Sequence, residues 1–241
     1  MRFDIISIFG EMFNAVSQFG ISSRALKQNL WQLYLHNPRD FTSDNYKRID
    51  GRPYGGGAGM VMMPQPLYDT LSYIKSSYQK SQFQSQHKSL TIMLSPDGKT
   101  FNHHIAKDWL KNYDNITLIC GRYEGIDQRF IDKYVDESIS IGDVVLSGGE
   151  LGAMIIIDSI VRLIPNALGN IESAQQDSFE NNLLDYPHYT KPEVWQDMQV
   201  PQVLLSGNHA KINAWRKQQA ILKTQEKRPD LIQNSQLTNQ F

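Results

Sequence analysis

The chain has 241 residues and 40% of them are hydrophobic, enough for one substantial core and a small accessory domain. Its 24 Lys and Arg residues are balanced by 25 Asp and Glu residues, which excludes a globally basic nucleic-acid-binding protein, so any RNA-binding surface must be local. The single cysteine, Cys120, excludes an internal disulfide and a multi-cysteine zinc site and indicates a reducing compartment.

The sequence also argues against export and against membrane insertion. Asp4 stands where a signal peptide needs apolar residues. The most apolar stretch, 154–164, is interrupted by Asp158 and Arg162. We therefore expect a cytoplasmic protein without a membrane-spanning segment.

Hydrophobic periodicity predicts two strands and two helices in the first third of the chain. In chain order these are a strand over 3–9, a helix over 11–19, a strand over 31–35, a glycine-rich and charged loop over 42–59, and a helix over about 66–77. The polar stretch 78–88 is typical of a solvated connector.

The middle of the chain repeats strand and helix three times. The predicted strands are 90–94, 116–120 and 138–141, and the predicted helices are 102–111, 127–134 and 150–163. This alternation is typical of a parallel sheet covered on both faces, so we predict an α/β fold. A stretch without periodicity then predicts a linker or lid over 165–182, between a domain over 1–164 and a helical domain over 183–241, whose helical pattern begins at Pro187.

Three glycine-bearing turns follow the three late strands. They are Ser95-Pro96-Asp97-Gly98, Gly121-Arg122-Tyr123-Glu124-Gly125, and the segment from Gly142 to Ser147-Gly148-Gly149. Because ligands of open parallel sheets bind outside the carboxyl ends of the strands, these turns together could cradle one nucleoside-sized cofactor. Each turn taken alone could equally be an ordinary tight turn.

Two other glycine patterns do not have the spacing of nucleotide-binding loops. Gly98-Lys99-Thr100 resembles the end of a phosphate loop, but Met93 occupies the position of the required first glycine. The run from Gly55 to Gly59 follows no convincing strand and lacks dinucleotide spacing. A mobile loop that contacts substrate is the better interpretation of this run.

Charged residues around and beyond the connector are candidates for acid–base chemistry and RNA binding. Asp158 and Arg162 are spaced for one helix face, where an ordinary ion pair is as good an interpretation as a catalytic role. Asp177 alone is typical of a solvated loop. The segment 211–228 carries six basic residues and one acidic residue, so it is either a local RNA-binding patch or a solvated helix face. Within it, Trp215 could pack inward or stack on a base.

Several motifs occur in fixed order along the chain. They are Arg52-Pro53-Tyr54-Gly55-Gly56-Gly57-Ala58-Gly59-Met60, Cys120-Gly121-Arg122-Tyr123-Glu124-Gly125-Ile126-Asp127, Ser140-Ile141-Gly142-Asp143, Val145-Leu146-Ser147-Gly148-Gly149-Glu150, Asp177-Ser178-Phe179, Pro187-His188-Tyr189-Thr190, and Leu205-Ser206-Gly207-Asn208-His209. Together they resemble the bacterial tRNA (guanine-37-N1)-methyltransferases. Each motif alone is weakly specific, whereas the ordered set spans nearly the whole chain and is highly specific.

The resemblance implies a SPOUT-type parallel sheet with a carboxyl-terminal trefoil knot over 1–164, a rare exception to unknotted topology, and a small helical tRNA-binding domain over 183–241. It also implies that the glycine turns bind S-adenosyl-L-methionine. The implied cofactor-binding residues are Leu94, Ser95, Pro96, Gly121, Tyr123, Glu124, Ile141, Gly142, Asp143, Val144, Val145, Leu146, Gly148 and Gly149.

By the same resemblance, Asp177 is the general base and Arg162 is the arginine beside the substrate guanine. The base would remove the N1 proton, and the arginine would stabilise charge at O6. The expected partners are the tRNA anticodon stem-loop and a second copy of the chain, with the active site shared between subunits. The expected tRNA-contacting residues are Gly55, Gly59, Ser178, His188, Lys211, Arg216 and Lys217.

The chain departs from the family pattern at a few positions, and the family pattern does not indicate which residues would bind magnesium. Proline is common at the positions of Gly10 and Gly152, and glutamine at the position of Asp97. Tyrosine is common at the position of Val144, and cysteine at the position of Tyr186. A side-chain contact at Val144 therefore cannot be carried over from the family, although a backbone contact can. A magnesium requirement is associated with the family, but no carboxylate cluster in the sequence indicates a metal site.

Two other functions remain open from the sequence. One is a ribose 2′-O-methyltransferase of the same superfamily, which does not need an aspartate and an arginine around a guanine. The other is a non-catalytic RNA-binding module, which needs no S-adenosylmethionine turns.

Overall fold

The computed structural model describes residues 1–80, 88–168 and 177–232, which fall into two compact units that divide at Gly169 and Asn170. This division lies inside the connector predicted over 165–182. The boundaries of the domains and the role of the connector as a lid stay predictions. In the described residues, no helix is both long and apolar enough to span a membrane.

The first unit alternates strands and helices. Its strands are β1 (Arg2–Ile6), β2 (Gln32–His36), β3 (Asp50–Gly51), β4 (Val61–Met62), β5 (Ser89–Thr100), β6 (Asn115–Ile119) and β7 (Glu137–Ser140). Its α-helices are α1 (Asn14–Ser17), α2 (Gly20–Lys27), α3 (Pro64–Lys80), α4 (His103–Asn112), α5 (Gln128–Tyr134) and α6 (Glu150–Val161), and short 3-10 helices cover Gly10–Phe13 and Pro38–Phe41.

Five strands form one parallel sheet in the order β2-β1-β6-β5-β7, and β3 and β4 form a separate antiparallel pair. One apolar cluster covers one face of the sheet and includes Ile156 and Ile160 of α6. A second cluster covers the other face and includes Leu67 and Leu71 of α3. The predicted α/β class with a doubly covered parallel sheet is therefore confirmed.

Side-chain caps explain where several helices begin. Asn102 accepts a hydrogen bond from the Ile105 amide at 3.0 Å and starts α4, and Asp127 accepts one from the Arg129 amide at 3.0 Å and starts α5. These caps satisfy amides that have no partner inside the helix. They also fix the ends of the turns that precede α4 and α5.

The sequence-based bounds differ from the structure in several places, one of which is the strand predicted over 3–9, which ends at Ile6. The helix predicted over 11–19 is a 3-10 turn and one short helix, because Gly20 has φ +71° and begins a separate helix, α2. The turn predicted at 95–98 lies within β5, where the pairing with β7 shifts register between Leu94 and Lys99. The polar connector predicted from residue 78 begins later, since α3 continues to Lys80.

The pattern from Pro187 onward predicted a helical second unit, but this unit is not helical throughout. A two-stranded antiparallel hairpin, β8 (Val194–Trp195) and β9 (Met198–Gln199), comes before α7 (Gln202–Leu205) and α8 (His209–Lys227). The hairpin escaped sequence reasoning because its turn contains Gln196 and Asp197, both at positive φ, rather than glycine.

A buried carboxylate joins β1 to β2 and to α3 near one edge of the sheet. Asp4 of β1 is inaccessible to solvent and contacts Arg2 Nε at 2.7 Å and His36 Nε2 at 2.7 Å. The Tyr78 hydroxyl of α3 donates to the same carboxylate at 2.5 Å. Burial alone raises the pKa of Asp4, but the hydrogen bonds from His36, Arg2 and Tyr78 outweigh it and leave the pKa below its ordinary value.

We predict that Asp4→Ala lowers the free energy of unfolding by about 3 kcal/mol, because the substitution leaves Arg2, His36 and Tyr78 without their buried acceptor. Chemical denaturation measures the loss. Asp132→Asn is the matched control, since Asp132 accepts only an exposed hydrogen bond from Gln128 among the contacts described.

The same loss should depend on pH. Because the folded-state pKa of Asp4 is lowered, its stabilisation is complete above the unfolded pKa of about 4 and disappears as pH falls through the folded pKa. The difference between wild type and Asp4→Ala should therefore shrink in acid. A difference that stays constant from neutral pH to pH ~2 would contradict this account of the cluster.

Candidate active site

The 95–98 turn, where β5 shifts register against β7, and the turns after β6 and β7 meet at one edge of the sheet and enclose a cavity of about 390 Å³, here called the three-turn cleft. The three strands are parallel neighbours, so their carboxyl ends necessarily share this edge. Thirteen of the fourteen residues predicted to bind the cofactor line the cleft, namely Leu94, Ser95, Pro96, Gly121, Tyr123, Glu124, Ile141, Gly142, Val144, Val145, Leu146, Gly148 and Gly149. The fourteenth, Asp143, lies in the same loop but is not among the lining residues.

Backbone contacts fix the turns against one another. The Gly149 amide donates to the Gly121 carbonyl at 3.1 Å, and a Cβ on Gly149 would lie 2.8 Å from the Cα of Cys120. Glycine at 149 is therefore required for the close approach of the two turns. In the loop after β7, the Ser140 hydroxyl accepts from the Gly142 amide at 3.1 Å, and Gly142 has φ +129°.

Arg122 links the second and third turns, and sequence reasoning had not singled it out as a site residue. Its Nη1 donates to the Ser147 carbonyl at 2.9 Å, and its guanidinium lies 4.5 Å from the centre of the Phe9 ring. A Cβ on Gly148 would collide with the Arg122 side chain. The arginine therefore lies directly across the Ser147-Gly148 backbone and holds it in place.

Arg122 in turn depends on a buried carboxylate at the start of α6. Glu150 is inaccessible to solvent, and its Oε2 lies 2.8 Å from Arg122 Nη2, an ion pair whose angles do not make a directional hydrogen bond. Its Oε1 accepts a hydrogen bond from the Ser7 hydroxyl at 2.6 Å, just after β1. A link between residues 143 positions apart has no local sequence signal, which explains why it was missed.

The only cysteine of the chain, Cys120, does not supply a nucleophile to the cleft. Cys120 lies directly behind the second turn, and burial and the nearby Glu150 carboxylate raise the pKa of its thiol well above the ordinary value. The thiol is therefore protonated at neutral pH and unreactive. The apolar side chains of Leu94, Ile141 and Leu146 line the cleft in front of it.

The glycine loop over 55–59 reaches the second turn through its carboxyl-terminal end. The Met60 carbonyl accepts from the Glu124 amide at 2.9 Å, and the Met62 amide donates to the Gly125 carbonyl at 2.9 Å. A Cβ on Gly59 would collide with the Glu124 side chain. The structure thus brings predicted substrate residue Gly59 to the cleft, whereas Gly55 is exposed and has no atom near the position of its missing Cβ.

Arg162 caps the carboxyl end of α6, where its amide donates to the Asp158 carbonyl at 3.1 Å. The Asp158 carboxylate accepts a hydrogen bond from the Ser22 hydroxyl of α2 at 2.5 Å. Asp158 thus ties α6 to α2, which gives it a structural contact beyond the helix pair considered from the sequence. Arg162 is not a lining residue of the three-turn cleft.

In the second unit, two predicted residues contact the same aspartate, one through its amide and the other through its carboxylate. Asp177 and Ser178 form part of a turn, and the Ser178 hydroxyl accepts a hydrogen bond from the Asp185 amide at 3.0 Å. The Asp185 carboxylate lies 2.7 Å from His188 Nε2. The structure thus connects Ser178 and His188 through Asp185, a residue that the sequence motifs had not indicated.

The basic segment forms most of α8. Asn208 accepts from the Lys211 amide at 3.1 Å and caps the helix, and Lys211 and Lys217 are exposed. The Arg216 guanidinium lies 4.9 Å from the centre of the Tyr186 ring. Trp215 is half-buried, with its ring 6.3 Å from that of Tyr189, so packing accounts for part of its surface.

Not every charge of the segment is available to a partner. Lys223 donates to the Asp185 carbonyl at 2.8 Å, and Arg228 pairs with Asp230 at 2.7 Å.

Within residues 1–80, 88–168 and 177–232, no group of three or more His, Cys, Asp or Glu side chains could hold a metal ion.

Comparison with known proteins assigns the family. Residues 1–234 match the family model described as tRNA (Guanine-1)-methyltransferase TrmD. Proteins named tRNA (guanine-N(1)-)-methyltransferase are similar over most of their length. The one from Polynucleobacter asymbioticus is 53% identical over 98% of this chain and 93% of its own, and the one from Ralstonia nicotianae is 53% identical over 97% and 86%. The one from Pseudomonas fluorescens Pf-5 is 51% identical over 100% and 93%. The chain therefore belongs to the tRNA (guanine-1)-methyltransferase family.

Proposed function

We propose that the protein transfers a methyl group from S-adenosyl-L-methionine to N1 of the guanosine at tRNA position 37, beside the anticodon. Family membership over residues 1–234 supports the reaction. The observation that carries the assignment of the site is that thirteen of the residues implied by the family resemblance converge on the three-turn cleft. The protein would act on tRNA in the cytoplasm.

The three-turn cleft fits S-adenosyl-L-methionine. Its volume of about 390 Å³ lies within the range of roughly 300–1,000 Å³ that is usual for small-molecule sites. Its backbone groups at Leu94, Gly121 and Gly142 would hold polar edges of a nucleoside, and its apolar side chains would cover the adenine ring. When bound, the cofactor supplies a methyl group activated by a sulfonium. The Arg122–Glu150 ion pair keeps the walls of the cleft in register.

The guanine requires a base and a positive charge. Guanine N1 carries a proton, so its attack on a methyl group requires an acceptor for that proton. We assign this role to Asp177 and the stabilisation of charge growing at O6 to Arg162. The target base must leave its stack to react, and the predicted lid over 165–182 would cover it. Both assignments rest on the family resemblance.

Basic side chains in the second unit support tRNA binding. Lys211, Arg216 and Lys217 lie close together on one helix, and their positive charges would bind RNA phosphates. The anticodon stem-loop is the proposed partner, with Ser178 and His188 near the reacting loop and Gly55 and Gly59 on the glycine loop contacting RNA. No magnesium site is proposed.

The active enzyme is proposed to be a homodimer in which the Asp177 turn of one subunit serves the three-turn cleft of the other. An exposed apolar surface on the first unit supports a partner. Leu151 and Ile155 of α6 are 47% and 48% exposed, and Val145 in the adjoining loop is 91% exposed. We further propose that the loops after β6 and β7 form the trefoil knot of the SPOUT class, with 183–241 as the tRNA-binding domain.

The proposed reaction is tested by the identity of the methylated nucleoside. Purified protein, unmodified tRNA and labelled S-adenosyl-L-methionine should yield 1-methylguanosine after complete nuclease digestion, and replacement of guanosine 37 should abolish labelling. Labelled 2′-O-methylguanosine would instead indicate a ribose methyltransferase. tRNA binding without any label would indicate a non-catalytic RNA-binding module.

The shared active site is tested by mixing two inactive variants. Gly121→Trp fills the three-turn cleft, and Asp177→Asn preserves side-chain shape while removing basicity. If each site uses the cleft of one subunit and Asp177 of the other, a heterodimer has one site with both lesions and one intact site. Random pairing makes half of the dimers heterodimers, so methyl transfer should return to about a quarter of the wild-type rate.

Subunit exchange must be demonstrated independently, by native mass spectrometry of differently tagged subunits. Each variant alone should be inactive, and Asp177→Asn should still bind S-adenosylhomocysteine in calorimetry. Mixtures that exchange subunits but remain inactive would overturn the shared site. Near-normal turnover by Asp177→Asn alone would overturn the assignment of the base.

A further inference from the structure

We propose that Thr224 of α8 is a positioning residue for methyl transfer, because its hydroxyl holds the end of the turn that carries Asp177. This inference rests on the proposed function, in which Asp177 is the general base. Thr224 is inaccessible to solvent, so its side chain can reach neither the RNA nor the methyl donor. Its effect on the reaction must pass through the backbone that it binds.

The turn over 177–183 has a backbone that needs support from outside. The Phe179 amide closes it by donating to the Leu183 carbonyl at 2.7 Å. Phe179 has φ +78° and Asn182 has φ +56°. Residues with a side chain rarely adopt such positive values, and they keep them only where surrounding contacts fix the chain. The position of Asp177 therefore depends on contacts that hold the ends of this turn.

Thr224 supplies such a contact at the carboxyl end of the turn. Its hydroxyl accepts a hydrogen bond from the Leu184 amide at 2.8 Å and donates one to the Ala220 carbonyl at 2.6 Å. Because a hydroxyl has one hydrogen to donate, the bond to Ala220 leaves the lone pairs of the oxygen for the Leu184 amide. Leu184 directly follows Leu183, whose carbonyl closes the turn. The helix thus holds the turn through one buried hydroxyl.

Two neighbouring contacts bind the next two residues to the same helix. Lys223 donates to the Asp185 carbonyl at 2.8 Å, and the Arg216 guanidinium lies 4.9 Å from the centre of the Tyr186 ring. Both side chains are cations, so their substitution would also change the attraction of the helix to RNA phosphates. Thr224 is uncharged and buried. Its contact can therefore be removed without altering the charge of the surface.

The expected kinetic effect follows from how a general base works. The base must lie within hydrogen-bond reach of the proton that it removes, and a misplacement of about 1 Å can cost on the order of 100-fold in rate. Without the Thr224 hydroxyl, the Leu184 amide loses its acceptor, and the end of the turn is free to shift. Among the described residues, this hydroxyl bonds Leu184 and Ala220 alone. The loss should therefore appear in the chemical step and not in the binding of either substrate.

The test compares Thr224→Val with Thr224→Ser in the full-length enzyme. Thr224→Val keeps the shape of the side chain but removes the hydroxyl, so kcat should fall about 10-fold while the KM for tRNA stays within about twofold of wild type. Thr224→Ser restores the hydroxyl and should keep kcat within about twofold of wild type. Single-turnover rates at saturating S-adenosyl-L-methionine and tRNA show whether the loss lies in methyl transfer. Calorimetry should give the same affinity for S-adenosylhomocysteine in wild type and in both variants.

Thr70→Val is the matched control for the substitution itself. Thr70 is also buried, and its hydroxyl donates to the Pro66 carbonyl of α3 at 2.7 Å, one helical turn earlier, as that of Thr224 donates to Ala220. Within the described residues, the Thr70 hydroxyl accepts no amide from another segment. Loss of a buried helical hydroxyl by itself should therefore leave kcat and KM unchanged. Thermal melting verifies that each variant is folded.

A second comparison tests whether Thr224 acts through Asp177. In an Asp177→Asn enzyme the base is already lost, so the addition of Thr224→Val should lower the residual single-turnover rate by less than about twofold. If the loss of about 10-fold recurs in full in that background, the two residues act independently and the positioning role is overturned.

Amide hydrogen exchange tests the contact without any variant. In the wild-type enzyme the Leu184 amide should be protected from exchange, as the amides inside α8 are. Rapid exchange of this amide would overturn the proposal even if Thr224→Val did not fold.

An unchanged kcat in a folded Thr224→Val enzyme also overturns the proposal, and so does a Thr224→Ser enzyme that is as slow as Thr224→Val. A rise in the KM for tRNA at constant kcat has the same consequence, because Thr224 would then support RNA binding. Near-normal turnover by Asp177→Asn alone would remove the base through which Thr224 acts and would overturn the proposal as well. All these outcomes presuppose that the wild-type enzyme forms 1-methylguanosine, so failure of the proposed function is recognised separately in the wild-type reaction.

Discussion

The architecture of the first unit depends on one ion pair in a buried setting, between Arg122 after β6 and Glu150 at the start of α6. Through Ser7, the carboxylate also reaches the end of β1, and through Arg122 it reaches the carbonyl of Ser147. One buried charge pair thus joins the loops that follow β1, β6 and β7. Removal of either partner would leave the other charge buried without compensation, which is far more costly than the pair is stabilising.

The remaining features of the cleft follow from this link and from the parallel sheet. Adjacent parallel strands bring the turns to one edge, glycine at 149 allows two turns to touch, and glycine at 148 leaves space for the Arg122 side chain. These contacts need no ligand, and a site that is formed before binding loses less conformational entropy when the ligand binds. The second unit repeats this principle, because Asp185 holds His188 in place through contacts that need no RNA.

The sequence predicted the sheet and the cleft better than it predicted the contacts that hold them. Strand-helix alternation and glycine position are local signals, so the α/β class and the three turns could be identified. The ion pair of Glu150 with Arg122 joins separate elements through the fold, and local patterns do not encode it. The Asp185–His188 contact is local in sequence but depends on a loop conformation that hydrophobic periodicity does not predict. Helix α2 was missed because its buried face carries Ser22 and Ser23 rather than large apolar residues. The hairpin at Gln196 was missed because its turn lacks glycine.

The central claim is that the three-turn cleft holds the methyl donor, and the most direct measurement is a crystal structure of the protein with S-adenosylhomocysteine. The account predicts electron density for the nucleoside between the Leu94, Gly121 and Gly142 turns, with the Arg122–Glu150 ion pair unchanged. Calorimetry under the same conditions should give one site per subunit, lost in Gly121→Trp. Clear density at any other place, with the three-turn cleft empty at saturating ligand, would contradict the account.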